Sequence, residues 1–180
     1  MYTTIAQAVS LLGLACNVAS YQQKKKRTLI LCQLFGGLLF TLHFLMLGKH
    51  IGAMMNGIGM IRAVVFSIGF SGKRVERIWM GVFIVLFLAC YPLSFVISGQ
   101  EIGAWIMLVE LLPVISMCLS TVSFTMSNAG KIRLLSLICS PLWLVYNIVG
   151  HSLGGVLCEL LAIGSIILGI IRHDIKKKTT

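Results

Sequence analysis

The sequence predicts an all-α membrane protein with seven transmembrane helices, arranged as two parallel three-helix-bundle repeats that a linker helix joins. Three observations lead to this fold class. Hydrophobic residues make up 58% of the 180 positions, which is more than soluble domains contain. Seven apolar stretches, each long enough to cross a bilayer, follow one another along the chain. The first and last parts of the chain also match each other at a fixed offset, without gaps.

The apolar stretches account for nearly the whole chain. A spanning helix needs about 20 mostly apolar residues, and the mean hydropathy of +0.97 is that of a membrane protein. No room remains for a soluble domain, so any function resides in the helices and their short connections. The predicted helices cover residues 3–21, 28–48, 51–70, 78–98, 102–125, 132–150 and 153–171.

The basic residues predict which side of the membrane each connection faces. Residues 24–27, 73–77, 131–133 and 172–178 hold 13 of the 15 Lys and Arg residues, and seven helices place all four groups on one side. The opposite side has only Lys49, and cytoplasmic loops are the ones enriched in Lys and Arg. We therefore predict an outer N-terminus and a cytoplasmic C-terminus. We do not expect the first stretch to be a cleavable signal, because it lacks a basic n-region and its basic residues follow it.

The formal net charge of +10 has a membrane explanation. Basic residues at the ends of spanning helices contact anionic lipid headgroups, so membrane lipids are the predicted partners of this charge. Nucleic acid is not a predicted partner, because recognition would need aromatic residues interleaved with basic ones on a soluble face.

An internal repeat organises the helices. Residues 38–56 align with residues 141–159, an offset of 103 positions (159 minus 56). The helix at 78–98 lies between the two copies and restores the orientation, so both copies run parallel across the membrane. The matched positions are Phe40 with Trp143, His43 with Tyr146, Gly52 with Gly155, Asn56 with Glu159, Gln7 with Glu110, and Ser20 with Ser123. The predicted units are residues 1–71 for the first repeat, 72–103 for the linker, 104–174 for the second repeat and 175–180 for a cytoplasmic basic tail.

Seven residues inside the predicted helices are candidates for a solute site between the repeats. Charged groups are costly at bilayer depth, so they usually face the bundle interior and pair with each other or with a substrate. Most of the candidates fall at similar depth in the outer half, while Arg62 lies roughly 9 Å deeper than Asn56 at about 1.5 Å per residue. The candidates are His43, Asn56, Arg62, Glu110, Trp143, Asn147 and Glu159.

The three charged candidates also have a structural interpretation. Arg62 with Glu110 or Glu159 would form a buried ion pair that fixes helix register and binds nothing. In either case an unpaired arginine at this depth is disfavoured. We expect Arg62 to lie within salt-bridge or water-bridged reach of one of the two glutamates.

The uncharged candidates have structural alternatives as well. Asn56 and Asn147 would serve equally as interhelical hydrogen-bonding residues. His43 is as consistent with a satisfied interior histidine as with a proton carrier. Trp143 is either an aromatic residue at the membrane interface or one that lines a pocket. The grouping of these residues on several helices favours a site more than any single one does.

The sequence does not predict an enzyme. No Ser/His/Asp or Cys/His arrangement has a characteristic spacing, and no phosphate-binding loop is present. The six cysteines fall inside the predicted helices without a CxxC pair, so neither a disulfide framework nor a metal site is predicted. We predict no cofactor.

Four separated groups of segments, in order along the chain, carry a family resemblance. They are His43–Leu45 with Leu47–Gly48, Asn56 with Ile61–Arg62, Glu110–Ile115 with Ser120–Thr121, and Trp143–Asn147 with Gly154–Gly155 and Glu159. These segments resemble the YgjV-type bacterial inner-membrane proteins, and the resemblance covers nearly the whole chain. It implies a multi-pass protein of the bacterial inner (plasma) membrane. The layout is also similar to that of the SWEET and PQ-loop transporters and the PnuC-type nicotinamide-riboside permeases, although the Pro-Gln dipeptide of the PQ-loop proteins is absent.

These observations predict a small-solute transporter or facilitator that works by alternating access. The expected partner is an unidentified small polar solute, such as a sugar, nucleoside or vitamin, and a homo-oligomer is compatible with this architecture. Glu159 is the candidate proton carrier, because an ionisable group there faces the neutral Asn56 of the other repeat. The alternative is a non-transporting membrane scaffold or sensor in which the buried ion pair is structural.

Overall fold

The computed structural model describes residues 2–21, 26–99, 103–126 and 128–171, and these ranges contain seven α-helices and no strand. The predicted tail and the basic residues 24, 25 and 172–178 lie outside the described ranges. The helices are α1 (Tyr2–Tyr21), α2 (Lys26–Met46), α3 (His50–Ile68), α4 (Lys73–Ser98), α5 (Ala104–Phe124), α6 (Ala129–Val149) and α7 (Leu153–Ile170).

Each helix falls on one of the predicted apolar stretches, so the all-helical class is confirmed. Helices α3 to α7 are long and apolar enough to cross a membrane. In α1 and α2 the apolar stretches are shorter, Thr3–Ala19 and Leu34–Met46, and their membrane crossing stays a prediction. Helix α4 begins five residues before its predicted start, because Lys, Arg and Glu favour helix and Lys73 forms an ion pair with Glu76 one turn later, Nζ to Oε2 2.9 Å.

The helices pack in an order that closes a ring. Helix α1 packs on α2, α2 on α3, α3 on α5, α5 on α6, α6 on α7, and α7 on α1. The remaining helix, α4, packs against both α3 and α5. Its buried Phe83 and Phe87 join the same hydrophobic cluster as Phe44, Met55 and Tyr146.

The burial pattern is that of a membrane protein. Large leucine, isoleucine and valine side chains are exposed on every helix, including Ile68 and Val96. Polar side chains are instead buried, among them Arg62, Asn147 and Thr121. Hydrocarbon solvates the apolar surface and excludes polar groups, so this reversal is expected of a bundle in lipid.

The α2–α3 and α6–α7 connections are equivalent turns. In the first, Gly48 N–H donates to the Leu45 carbonyl and Lys49 N–H to the Phe44 carbonyl, and Gly48 has a φ of +67°. The second repeats both bonds 103 residues later, with His151 at a φ of +54°. This pattern is a Schellman C-cap, which satisfies carbonyls at the end of the helix and needs a left-handed residue. The two connections also lie together, since Lys49 is next to Gly150.

Candidate functional site

Two adjoining cavities lie inside the helix ring. The serine-rich cavity, about 460 Å³, has Arg62 and Glu159 in its wall. The asparagine cavity, about 140 Å³, lies nearer the α2–α3 connection and also has Glu159 in its wall. Serines 116, 120, 136, 140 and 165 give the first cavity its name, and asparagines 17, 56 and 147 give the second its name. The two cavities share Asn17, Met117, Trp143, Cys158 and Glu159.

Arg62 projects from α3 to the backbone and hydroxyl groups of α5. Its Nη1 donates to the Met117 carbonyl at 3.1 Å, to Ser120 Oγ at 2.8 Å and to Thr121 Oγ1 at 2.6 Å. The guanidinium carbon lies 4.7 Å from the centre of the Phe124 ring and 5.3 Å from that of the Phe87 ring. The residue is only 6% exposed, and its Nε is buried without a hydrogen-bond partner among the described residues. Neutral oxygens and aromatic faces therefore hold this cation.

The expected direct salt bridge is not formed. Neither Glu110 nor Glu159 makes an ion pair with Arg62, whose Nη1 donates to oxygens of α5 instead. Arg62 and Glu159 do line the same serine-rich cavity. The water-bridged form of the expectation therefore stays a prediction for Glu159.

Glu159 lies where the two cavities meet. It is the seventh residue of α7, as Asn56 is the seventh residue of α3, and both line the asparagine cavity. The Ser140 hydroxyl of α6 interacts with the Glu159 carboxylate. A carboxylate in this position faces both cavities and has hydroxyl and amide groups around it.

Asn56 and Asn147 differ in how their side-chain amides are hydrogen-bonded. Asn56 donates through Nδ2 to the Gly52 carbonyl one turn earlier, at 2.9 Å. Asn147 is 2% exposed, and its Oδ1 is buried with no partner in the described part of the chain. A side chain on Gly155 would overlap the Asn147 amide, so this glycine gives Asn147 its space. The unused oxygen of Asn147 is an acceptor at the wall of the asparagine cavity.

Aromatic rings bound the asparagine cavity towards the α2–α3 connection. Trp143 stacks on Phe44 at a centroid distance of 6.2 Å and meets Tyr146 edge-on at 5.7 Å. Phe40 and Phe44 pack together at 6.2 Å, and both line the same cavity. Trp143 is thus a pocket-lining aromatic residue, not one at the edge of the bundle.

His43 and Tyr146, which the repeat aligns, each reach across to the other repeat. His43 Nε2 lies 2.7 Å from Ser152 Oγ, just before α7, and Nδ1 lies 2.7 Å from the Ala6 carbonyl. A carbonyl only accepts, so Nδ1 donates, and in the neutral ring Nε2 accepts from the Ser152 hydroxyl. Tyr146 Oη accepts the Gly52 N–H of α3 at 3.1 Å. We name these two contacts, His43–Ser152 and Tyr146–Gly52, the clasps.

The first turn of α7 has its free N–H groups satisfied by α1 and by its own cap. Leu153 N–H donates to Gln7 Oε1 at 2.9 Å and Gly154 N–H to Ser10 Oγ at 3.2 Å. Gly155 N–H donates to Ser152 Oγ at 3.2 Å. These donors have no partner within a helix, so the contacts from Gln7 and Ser10 bind α1 to α7.

Glu110 lies outside the walls of both cavities. Its Oε2 is buried and accepts no hydrogen bond from the residues that the structure describes. The Glu110 carboxyl group interacts electrostatically with Lys49, which lies just before α3. The offset of 103 residues aligns Glu110 with Gln7 of α1, whose side chain accepts a hydrogen bond from the first turn of α7. Glu110 therefore belongs with the α2–α3 connection, near Tyr146.

Five of the seven predicted site residues line the cavities, and two do not. His43 and Glu110 are absent from the walls of both cavities. The cavity serines were not predicted. The sequence does carry a signal for them, because the pairs Ser116/Ser120 and Ser136/Ser140 are each spaced four residues apart and so share one helix face. Phe87 of α4 was not predicted either, and the sequence carries no signal for it.

The comparisons with known proteins agree with the membrane interpretation. Neither the curated proteins nor the solved structures gave a match. The similarity to the SWEET and PQ-loop layout therefore stays a prediction. The family model described as "Imp-YgjV: Bacterial inner membrane protein" matches residues 4–177. Since this match spans almost the whole chain, the protein belongs to the Imp-YgjV family of bacterial inner membrane proteins.

Proposed function

We propose that this inner membrane protein transports a small polar solute by alternating access, with the two three-helix units moving around the serine-rich cavity. The observation that carries the proposal is the cavity itself. It holds an arginine, a glutamate and five serines inside a ring of apolar helices. Polar groups inside a membrane are costly and usually mark a solute or ion pathway. A volume of about 460 Å³ is in the range of small-ligand sites.

The packing order supports the two-unit arrangement. In this arrangement α1 corresponds to α5, α2 to α6 and α3 to α7. The contact between α1 and α7 then corresponds to the contact between α5 and α3, and both contacts are present. The same correspondence relates the two Schellman turns. Parallel repeats around an axis along the membrane normal are one known design of transporters, with the solute near the repeat interface.

The clasps suggest how one side is closed. Both join the first repeat to the second near the α2–α3 and α6–α7 connections, which the basic residues predict to be on the periplasmic side. Rocking the units apart at that side would separate both clasps and expose the asparagine cavity. The solute path in the proposal then runs from Asn147 past Glu159 to Arg62.

The test is solute uptake into proteoliposomes, guided by a screen for thermal stabilisation of the purified protein. A ligand at 100 times its dissociation constant adds about 2.7 kcal/mol to the free energy of unfolding. Ser136→Leu puts a larger side chain into the serine-rich cavity and is expected to abolish uptake. Gly164→Leu is the matched control, because no atom lies within 4 Å of a Cβ there.

Two results would reject transport in favour of a scaffold or sensor. One is the absence of uptake for every compound that stabilises the protein. The other is equal uptake by Ser136→Leu and the parent protein, which would place the solute path outside the cavity.

A further inference from the structure

We propose that the solute is a zwitterion, with its anionic group at Arg62 and its cationic group at Glu159. This inference rests on the proposed transport function and names the chemical class of the solute. Both charged side chains line one cavity, come from different repeats and do not pair with each other. Among the described residues neither side chain has an ion-pair partner, so a solute could supply a counter-charge to each.

Arg62 is a buried cation without an anionic partner among the described residues. It has five N–H donors, and its hydrogen bonds all leave from Nη1 to neutral oxygens of α5. The Nε donor is buried and unused. Burying a charge without a counter-charge is costly unless a ligand supplies one. An anionic group in the serine-rich cavity would provide that counter-charge.

Glu159 and its surroundings offer acceptors instead. The carboxylate faces the point where the two cavities join, and the hydroxyl of Ser140 is beside it. Asn147 Oδ1, in the wall of the asparagine cavity that Glu159 shares, is a buried acceptor to which no described residue donates. An ammonium group has three donors and no acceptor, so it complements a carboxylate and an amide oxygen together.

The packing keeps the two charges apart. The α5 oxygens and the rings of Phe87 and Phe124 hold the guanidinium on one wall. Arg62 is six residues further along α3 than Asn56, which lines the asparagine cavity together with Glu159, so the Arg62 Cα lies roughly 9 Å deeper than that of Asn56. A neutral sugar would leave both charges unmatched, and a simple anion would leave Glu159 unmatched. A zwitterion with separated charges matches both.

The test compares compounds that differ only in charge, using the full-length protein in detergent. The probes are 4-aminobutyrate as the zwitterion, butyrate as the anion and butylamine as the cation, with glucose as a neutral polar compound. The expected result is a rise in the thermal midpoint with 4-aminobutyrate and an apparent Kd at least about ten-fold lower than for either single-charge analogue, the effect of one charge-assisted hydrogen bond. Glycine, β-alanine and 6-aminohexanoate then measure the preferred charge separation.

Two variants assign the ends of the solute. Arg62→Gln is expected to bind butylamine and 4-aminobutyrate equally, and Glu159→Gln to bind butyrate and 4-aminobutyrate equally. Glu76→Gln is the control, because it removes a carboxylate paired with the exposed Lys73. It should leave every Kd unchanged.

The results separate this inference from the proposed function. Stabilisation and uptake of glucose, or equal binding of butyrate and 4-aminobutyrate by the parent protein, would overturn the zwitterion and leave transport standing. Absence of binding by all the amino acids overturns the zwitterion as well, and the wider uptake screen then decides on transport. Binding to the parent protein decides on the zwitterion and uptake by the parent protein decides on transport, so a variant that fails to fold does not prevent the test.

Discussion

Gly155 is a position where a single methyl group should disturb the packing beside the asparagine cavity. A Cβ built there lies 2.5 Å from Asn147 Cγ and 2.6 Å from Ser152 Oγ, and it overlaps the Asn147 amide oxygen. Real Cβ atoms do not approach so closely, so Gly155→Ala must displace Asn147 into the cavity or move α7 away from α6. Either response alters the packing around Asn147 and Ser152.

The magnitude follows from two opposing effects. Alanine in place of glycine within a helix stabilises it by about 0.8–1 kcal/mol, whereas overpacking a filled site costs about 1–3 kcal/mol. Gly164 lies on the same helix with no atom within 4 Å of a Cβ, so Gly164→Ala isolates the first effect. We expect Gly164→Ala to gain up to about 1 kcal/mol and Gly155→Ala to be about 1–3 kcal/mol less stable than that control.

The assay is thermal unfolding of the purified variants in one detergent at one scan rate, because membrane proteins often unfold irreversibly. Gly52→Ala repeats the test in the first repeat, where the Cβ would lie 2.8 Å from Tyr146 Oη and 2.9 Å from Phe44 Cγ. If Gly155→Ala unfolds at the same temperature as Gly164→Ala, the close packing of Gly155 against Asn147 is refuted.

Three further predictions test the turns, a clasp and the orientation. His151→Gly should raise the free energy of unfolding and Gly48→Ala should lower it, each by about 0.5–1 kcal/mol, because a left-handed conformation costs an L-residue roughly 1–2 kcal/mol and the entropy of glycine offsets part of this. The thermal unfolding midpoints should rise and fall accordingly. Shifts of the same sign would contradict the equivalence of the turns. Tyr146→Phe leaves the Gly52 N–H unsatisfied and should cost about 1–3 kcal/mol in thermal unfolding; an unchanged midpoint would mean that this clasp contributes nothing. A reporter enzyme fused after Lys178 should be active in the cytoplasm, and periplasmic activity there would overturn the predicted orientation.

The helices could be predicted from sequence because lipid imposes a simple rule. Each spanning segment must satisfy its own backbone and present apolar side chains to hydrocarbon, so length and hydropathy locate it. The ends were less accurate, as in α4, because charged residues continue a helix beyond its apolar part. The two equivalent turns were not predicted, although they lie 103 residues apart: Gly48 and His151 both have a positive φ despite their different side chains.

The partners of the buried charges could not be predicted in the same way. An arginine within a helix demands a partner, and the sequence suggested the two buried glutamates as counter-charges. The structure uses the Met117 carbonyl and two hydroxyls instead. Backbone carbonyls carry no sequence signal, and Ser120 and Thr121 have two ordinary roles in helices, packing and bonding to their own helix. Which helix faces α3 at that depth decides between these roles, and only the packing gives that information.

The two proposed repeats share their turn geometry and differ at the charged positions, and this difference matters for the proposed transport. The aligned partner of Arg62 is Ser165 and the aligned partner of Glu159 is Asn56, so each repeat supplies one charge and one neutral group. A solute that binds both charges is then held by both units at once. If the units separate at the clasps, the distance between Arg62 and Glu159 changes, and the affinity for a solute of fixed length changes with it. A ligand shifts the equilibrium between two arrangements only by the difference in its affinity for them. A solute that bridges the two units has different affinities for the two arrangements, whereas a solute bound within a single unit does not.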